Sequence, residues 1–263
     1  MNYSISEKLN ILKHANRANA KSYIDLIFTD FMELSGDRLY GDDPSIIGGI
    51  GFIDNIPLTV IGQLRGRNME EQVKFNFSMT HPEGFRKSLR LMKQAEKFHR
   101  PVVCFIDTVG AYPGKQAEEH GQASAIANNL MEMMTLKIPI ISVLIGYGGS
   151  GGALALCVAD RIAILENAVF SVISPKACAQ ILWKDISREI EAVEILKMTS
   201  MDLLQQGIVD FIIPEPDDGA HTDVQETAIR IKTYLRKEIK LLENIRTSKL
   251  VHQRQKKYRA IGR

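Results

Sequence analysis

Helical and strand-like rhythms of apolar residues alternate along this chain. Tyr23, Ile24, Ile27, Phe28 and Phe31 fall at helical spacing and predict a helix over residues 20–34, ended by Ser35-Gly36. Residues 47–53 and 56–63 read as strands around the turn Asp54-Asn55. Phe85, Leu89, Met92 and Ala95 mark a helix over 83–98, and the run PVVCFID predicts a buried strand over 101–107. After a turn-rich loop, 108–114, a long helix is expected over 117–134, with Ala123, Ile126, Ala127, Leu130 and Met134 facing inward. PIISVLI, 139–145, is a second buried strand. It runs into the cluster 146-GYGGSGG-152 and a short helix at 153–159. Residues 161–165 and 168–172 flank Glu166-Asn167 as a second hairpin, with helices near 189–197 and 201–206. Val224, Ala228, Ile231, Leu235, Ile239 and Leu242 mark a long C-terminal amphipathic helix.

Buried strands alternating with helices mean α/β architecture. No Pro- or Ser-rich linker divides the 263 residues. The expected organisation is an N-terminal segment (1–19), one α/β domain (20–220) and a C-terminal helix with a basic tail (221–263). The composition, 45% hydrophobic and 24% charged, excludes a disordered or collagen-like chain. No apolar run is long enough to cross a bilayer, which takes roughly 18 residues. The first residues lack a signal-peptide core, so the expected location is the cytoplasm. Net charge is 33 − 31 = +2, yet residues 246–263 hold seven basic residues and no acidic one. Such a segment reads as a solvated helix or frayed end, with nucleic-acid binding as the functional alternative. Cys104, Cys157 and Cys178 form no C-x-x-C pair, so no zinc ribbon and no metal site is expected within this chain. Cys104 and Cys157, in apolar stretches, read as buried thiols.

The glycine cluster has five glycines in seven positions, between a strand and a helix. Backbone N–H groups there approach a ligand without Cβ obstruction, and the helix start adds unpaired donors. That equipment holds a phosphate or a transient oxyanion, unless the glycines serve close helix–strand packing. A P-loop is rejected because no Gly-Lys-Ser/Thr follows. Gly146, Gly148 and Gly151 fit G-x-G-x-x-G, but the following helix is too short for a dinucleotide-binding βαβ unit. Gly149-Ser150-Gly151 lies within a G-x-S-x-G match, which makes Ser150 a hydrolase nucleophile if a histidine serves it; His221 and His252, the downstream histidines, are poorly placed. The last reading is an oxyanion hole whose serine is no nucleophile. The loop 107-DTVGAYPG-114 favours it, since neighbouring strands would open both loops at one sheet edge. Arg65 and Arg67 could meet phosphates or a carrier protein, or simply end a hairpin. Glu118 and Glu119 read as first-turn acids, His120 as structural, and Trp183 as packing.

The segments 34-LSGDRLYGDD-43, 82-PEGFRKSLRLMKQAEKF-98, 105-FIDTVGAYPG-114, 118-EEHGQASAIANNLMEM-133, 145-IGYGGSGGALAL-156, 171-SVISPKACAQILWKD-185 and 212-IIPEP-216 run in order over most of the chain. Together they resemble the carboxyltransferase α subunit of bacterial acetyl-CoA carboxylase. The resemblance implies a crotonase (ClpP/crotonase-like) fold of repeated ββα units with a helical C-terminal extension. It implies transfer of a carboxyl group from carboxybiotin, on a biotin carboxyl carrier protein, to acetyl-CoA, giving malonyl-CoA for fatty acid synthesis. It further implies a zinc-ribbon β subunit in an α2β2 assembly, with activity only in that company. By this resemblance Gly151 and Gly152 form the oxyanion hole for biotin, and Gly148, Gly149, Gly110, Ala111, Tyr112 and Gly114 line the substrate site. Val109, Tyr147, Lys176 and Lys115-Gln116 depart from the family pattern, all in or beside the loops. Two alternatives stand beside this one: a crotonase-fold serine hydrolase using Ser150, and a non-catalytic regulatory paralogue.

Overall fold

The computed structural model describes residues 3–262. The chain begins with α1 (Ile5–Lys13), α2 (Ala20–Ile27) and the strands β1 (Thr29–Glu33), β2 (Ile46–Ile53) and β3 (Ile56–Gln63). It continues through α3 (Met69–Lys74), β4 (Met79–Thr80), α4 (Pro82–Lys97), β5 (Val102–Thr108), β6 (Gly110–Ala111), α5 (Lys115–Glu119) and α6 (Gln122–Met133). Then come β7 (Ile140–Gly149), α7 (Ser150–Leu154), β8 (Arg161–Leu165), β9 (Val169–Ser171), α8 (Pro175–Trp183), α9 (Glu189–Leu196), α10 (Ser200–Gln205) and β10 (Phe211–Ile213). Two helices end the chain, α11 (Val224–Glu243) and α12 (Thr247–Ala260).

The main sheet runs β1-β2-β3-β5-β7-β8-β10, with β9 added beside β7. β1, β2 and β3 pair antiparallel; every pairing from β3 onward is parallel. Parallel neighbours need crossover connections, and helices supply them. Both faces are covered. A Cβ at Gly48 would strike Leu91 of α4, whereas one at Gly62 would strike Ala20 of α2. Gly62 lies opposite Ile47, the neighbour of Gly48, and adjacent positions point to opposite faces. So α4 covers one face and α2 the other. β5 is buried along its whole length, as a strand covered on both faces must be. Cys104 and Cys157 are fully buried free thiols.

Four expectations need correction. The helix predicted over 20–34 stops at Ile27, and Thr29–Glu33 forms the edge strand β1 against β2. Phe31 belongs to that strand; its ring fills the space left by Gly49 and Gly51, so its helical spacing is coincidental. The second hairpin does not exist. β8 pairs with the first half of β7, at 141–144, and β9 pairs in parallel with its end, Tyr147↔Val169 to Gly149↔Ser171. The helix over 117–134 is broken at Gly121, where φ is +82°. Its inward face is Gln122, Ala125, Asn129 and Met133, while Ala123 and Ala127 are exposed. Asn129 Nδ2 donates to Ala155 O, and Gln122 Nε2 to Thr80 O and Tyr112 O. Those polar contacts rotate the helix away from its most apolar face.

The basic C-terminal segment is a helix, as one expectation had it, with Arg246, Lys249, Lys256 and Arg259 exposed, but it is anchored rather than frayed. Arg254 on α12 is 1% exposed. It forms an ion pair with Asp160 at 2.7 Å and donates to the carbonyls of Met133, Leu136 and Ile138. Lys257 pairs with Asp210, and Tyr258 donates to Cys157 O at 2.7 Å. Ile231, Leu235 and Ile239 of α11 join the main core. No helix of the described residues is long and apolar enough to cross a membrane.

Candidate active site at the glycine loop

β5 and β7 are parallel neighbours, so the loops that follow them leave the same edge of the sheet. The register brings Thr108 opposite Gly148. Asp107, fully enclosed, accepts the amide of Tyr147 at 2.9 Å and thereby ties the loops together. Thr108 Oγ1 donates to Ser78 O at 2.5 Å and accepts the Gly110 amide at 3.1 Å.

Most of the glycines serve this close approach. A side chain at Gly146 would collide with the Asp107 carboxylate, one at Gly149 with Val109 O, and one at Gly148 with Leu144 and Phe170. A Cβ at Gly152 would lie 2.6 Å from the Gly110 carbonyl carbon and 2.8 Å from the Ala111 nitrogen. Gly151 differs: its nearest neighbour would be Ile126 Cγ2 at 3.8 Å, an ordinary contact. It borders a cavity of about 490 Å3 with Ser150, Leu154, Phe170, Val172 and Leu203. Lys197 is the charged residue of that lining; no carboxylate or imidazole belongs to it. Among the described residues, neither the Gly151 nor the Gly152 amide has an acceptor. Such donors start a helix turn unsatisfied and are free for a ligand. Only Gly151 faces the cavity; Gly152 is buried against the 110–111 backbone.

Ser150 starts α7 with φ +52°, in the left-handed region. A sharp strand-to-helix turn of that kind is what a nucleophile elbow requires. Yet among the described residues no histidine hydrogen-bonds to Ser150, and none lines either cavity it borders.

Gly148 and Gly149 line a smaller adjoining cavity with Val109 and Tyr147. The structure thus brings Gly152 against Gly110 and Ala111 and Gly149 against Val109, with Gly148 opposite Thr108 and Gly151 beside Ile126. Tyr112 and Gly114 turn elsewhere: the Tyr112 ring stacks on His81 at 4.1 Å and occupies the space beside Gly114. His81 lines a separate polar cavity of about 290 Å3 with Tyr40, Glu83 and His120. There His120 Nδ1 meets Glu83 at 2.6 Å and its ring stacks on Tyr40 at 4.0 Å, which accounts for the histidine structurally. Glu118 and Glu119 are exposed on α5. Trp183 packs under Arg188, whose guanidinium carbon lies 4.0 Å from the ring centre.

Of the departures, Val109 is exposed at the loop tip and Lys176, Lys115 and Gln116 are exposed. Tyr147 lies under Arg65, whose guanidinium carbon is 5.3 Å from the ring centre. Burial pushes the Tyr147 hydroxyl up to about 12, with Arg65 opposing the shift. Sequence reading missed the support of this region. Arg17 pairs with Glu215 through two bonds, at 2.6 and 3.0 Å, and donates to Ile145 O at 3.1 Å, pinning β7 at mid-strand ahead of the glycine cluster. Burial works against the Glu215 carboxylate, but Arg17 and Asn167 outweigh it and hold its pKa below the usual value. No spacing rule could have joined residues that far apart in the chain.

Comparison with known proteins places this geometry in a lineage. The profile of the family described as acetyl co-enzyme A carboxylase carboxyltransferase-like matches residues 1–262. The acetyl-coenzyme A carboxylase carboxyl transferase subunit alpha of Halalkalibacterium halodurans is 54% identical over 256 residues, covering 97% of this chain and 79% of that one. Its counterpart from Clostridium botulinum strain Eklund 17B is also 54% identical, covering 97% and 93%. Among solved structures, transcarboxylase 12S superposes with a TM-score of 0.66 at 18% identity, over 89% of this chain and 46% of that one, so this chain spans about half its length. A Pseudomonas malonate decarboxylase hetero-tetramer gives 0.63 at 15% identity, over 82% and 86%. The solved structures establish the expected crotonase fold, and the sequence relatives establish the lineage: this chain belongs to the acetyl-CoA carboxylase carboxyltransferase family, with the α subunits.

Proposed function

We propose that the chain is the α subunit of a biotin-dependent carboxyltransferase that carries a carboxyl group from carboxybiotin to acetyl-CoA, giving malonyl-CoA for fatty acid synthesis. It acts in the cytoplasm, in an α2β2 assembly with a zinc-ribbon β subunit and a biotin carboxyl carrier protein. The supporting observation is the Gly151 amide, without an acceptor, on a largely apolar cavity with no carboxylate or imidazole in its lining. A compact, neutral bicyclic urea on an aliphatic chain suits that lining: one oxygen for a backbone donor, and apolar walls for the rest.

Biotin on its carrier supplies a ureido nitrogen that holds the carboxyl group in labile form. The chain's own residues do the rest. The Gly151 N–H would be the donor to the ureido oxygen and would stabilise negative charge there. A donor fixed in a helix turn needs no reorganisation as that charge develops, and one such donor lowers a barrier by about 2.7–4 kcal/mol. Leu154, Phe170 and Val172 supply the apolar walls beside that oxygen. Gly152, packed on Gly110, holds the turn in place, and Asp107 fixes it from the other side through the Tyr147 amide. The acetyl methyl group must lose a proton before it takes up the carboxyl carbon; the ureido nitrogen left by the departing carboxyl group would receive that proton, so no carboxylate or imidazole is required of this cavity.

The test is co-purification with a zinc-ribbon β subunit, followed by malonyl-CoA formation from acetyl-CoA and a carboxybiotin donor. A reconstituted pair with no activity on any short acyl-CoA defeats the reading.

A further inference from the structure

Arg65 is left unexplained by the reading above. It is half-buried beyond the end of β3, where Nη1 donates to Leu12 O at 3.0 Å. Among the described residues it has no ion-pair partner. It borders a small cavity of about 90 Å3, distinct from those beside Ser150, with Lys13, Arg17, Arg67, Gln72 and Asp107. The other cations of this lining are already matched: Arg17 by Glu215 at 2.6 Å, Arg67 by Glu71 at 2.8 Å, and Lys13 by Glu189 at 3.4 Å. The volume equals the liquid share of about three waters. That is room for one carboxylate or phosphate group, not for a nucleotide.

We infer that this cavity is a binding site for a small oxyanion, a carboxylate or phosphate group gripped by Arg65. A planar guanidinium with free N–H groups is the side chain best matched to two oxygens of such a group. Arg17 and Arg67, each held by its own carboxylate, keep the rim positive without collapsing into the space. Asp107, 2% exposed, lies in the lining and is the one group there that opposes an anion when charged. Burial raises its pKa, against the pull of Arg65, the Tyr147 amide and Arg17. The same carboxyl group accepts the Tyr147 amide, so an occupant here touches the group that positions the glycine loop. The site goes beyond the function proposed above and does not depend on it, because the anion binds the isolated chain.

Titration calorimetry of the full chain, in chloride buffer at fixed ionic strength, tests the inference with inorganic phosphate and with malonate as probes. At least one of them is expected to bind at a single saturable site. Affinity is expected to fall at least tenfold in Arg65→Gln, and likewise in Gln72→Glu, which offers Arg65 an internal carboxylate. Phosphate binding alone identifies a phosphate group as the occupant, malonate binding alone a carboxylate, and binding of both a site for either. If Arg65→Gln loses its fold by circular dichroism, Gln72→Glu decides. Failure of both probes to bind the wild type, or unchanged affinity in the folded variants, overturns the inference.

Discussion

The glycines at 151 and 152 are adjacent and chemically identical, yet substituting them is expected to produce opposite failures. At Gly151 an added Cβ meets only Ile126, at 3.8 Å, so the fold has space for it. Placing alanine for glycine inside a helix even gains roughly 0.5–1 kcal/mol of stability. At Gly152 the added atom sits 2.6 Å from the Gly110 carbonyl carbon, which is backbone and can yield only by moving the 107–114 loop. Overpacking of that kind costs about 1–3 kcal/mol. For a chain of this size, each kcal/mol lowers Tm by roughly 2–4 °C. Gly151→Val, whose branched side chain obstructs the cavity edge, is expected to leave Tm near wild type. It is also expected to reduce kcat about 100- to 1,000-fold, the cost of one lost oxyanion donor. Gly152→Ala is expected to lower Tm by several degrees first and activity as a consequence. The assay is steady-state malonyl-CoA formation by the reconstituted complex, alongside thermal unfolding of the α chain. A Gly151→Val enzyme with wild-type kcat, or one that loses stability instead of rate, refutes the assignment of the donor.

Ser150→Ala is expected to keep kcat within about threefold, since among the described residues no histidine lines either cavity beside Ser150; loss of turnover in steady-state assays would restore the hydrolase reading. Arg254→Met leaves Asp160 buried without its cation and is expected to cost roughly 3–5 kcal/mol in urea unfolding, whereas a loss below 1 kcal/mol would mean that α12 merely decorates the surface. Asp37 is held down to about 2: partial burial opposes this, but the amides of Leu39, Gly41 and Tyr40 together with Arg86 prevail. A depressed folded-state pKa contributes stability that is present above the unfolded value of 3.8 and lost as pH falls toward about 2. Asp37→Asn is expected to flatten the stability profile over that window, and an unchanged profile would dismiss the contribution.

What could be read in the sequence was what the chain states locally. The runs PVVCFID and PIISVLI are strands because nothing else buries such runs at that length, and they are the central strands β5 and β7. The glycine cluster declared its place at a strand–helix junction, and the two loops meet as expected. The division of labour among the glycines was not legible. Whether a glycine is kept for a neighbouring backbone or for a ligand depends on what stands opposite it, and Val109 opposite Gly149 is a tertiary fact. Phe31 misled because three residues of edge strand can imitate one helical turn. Asn129 and Gln122 were passed over because polar residues register as outward-facing until their carbonyl partners are known. Arg17 with Glu215, and Arg254 with Asp160, join positions 198 and 94 residues apart, beyond the reach of any periodicity.

The last of these pairs bears on how the protein is made. Asp160 precedes β8, between β7 and β10, but its counter-charge arrives only when Arg254 has been synthesised and has left the ribosome. Until then the nascent sheet must either hold β8 open to water or bury a lone carboxylate. Closure around Asp160 therefore comes late, after β7 and β8 have themselves emerged.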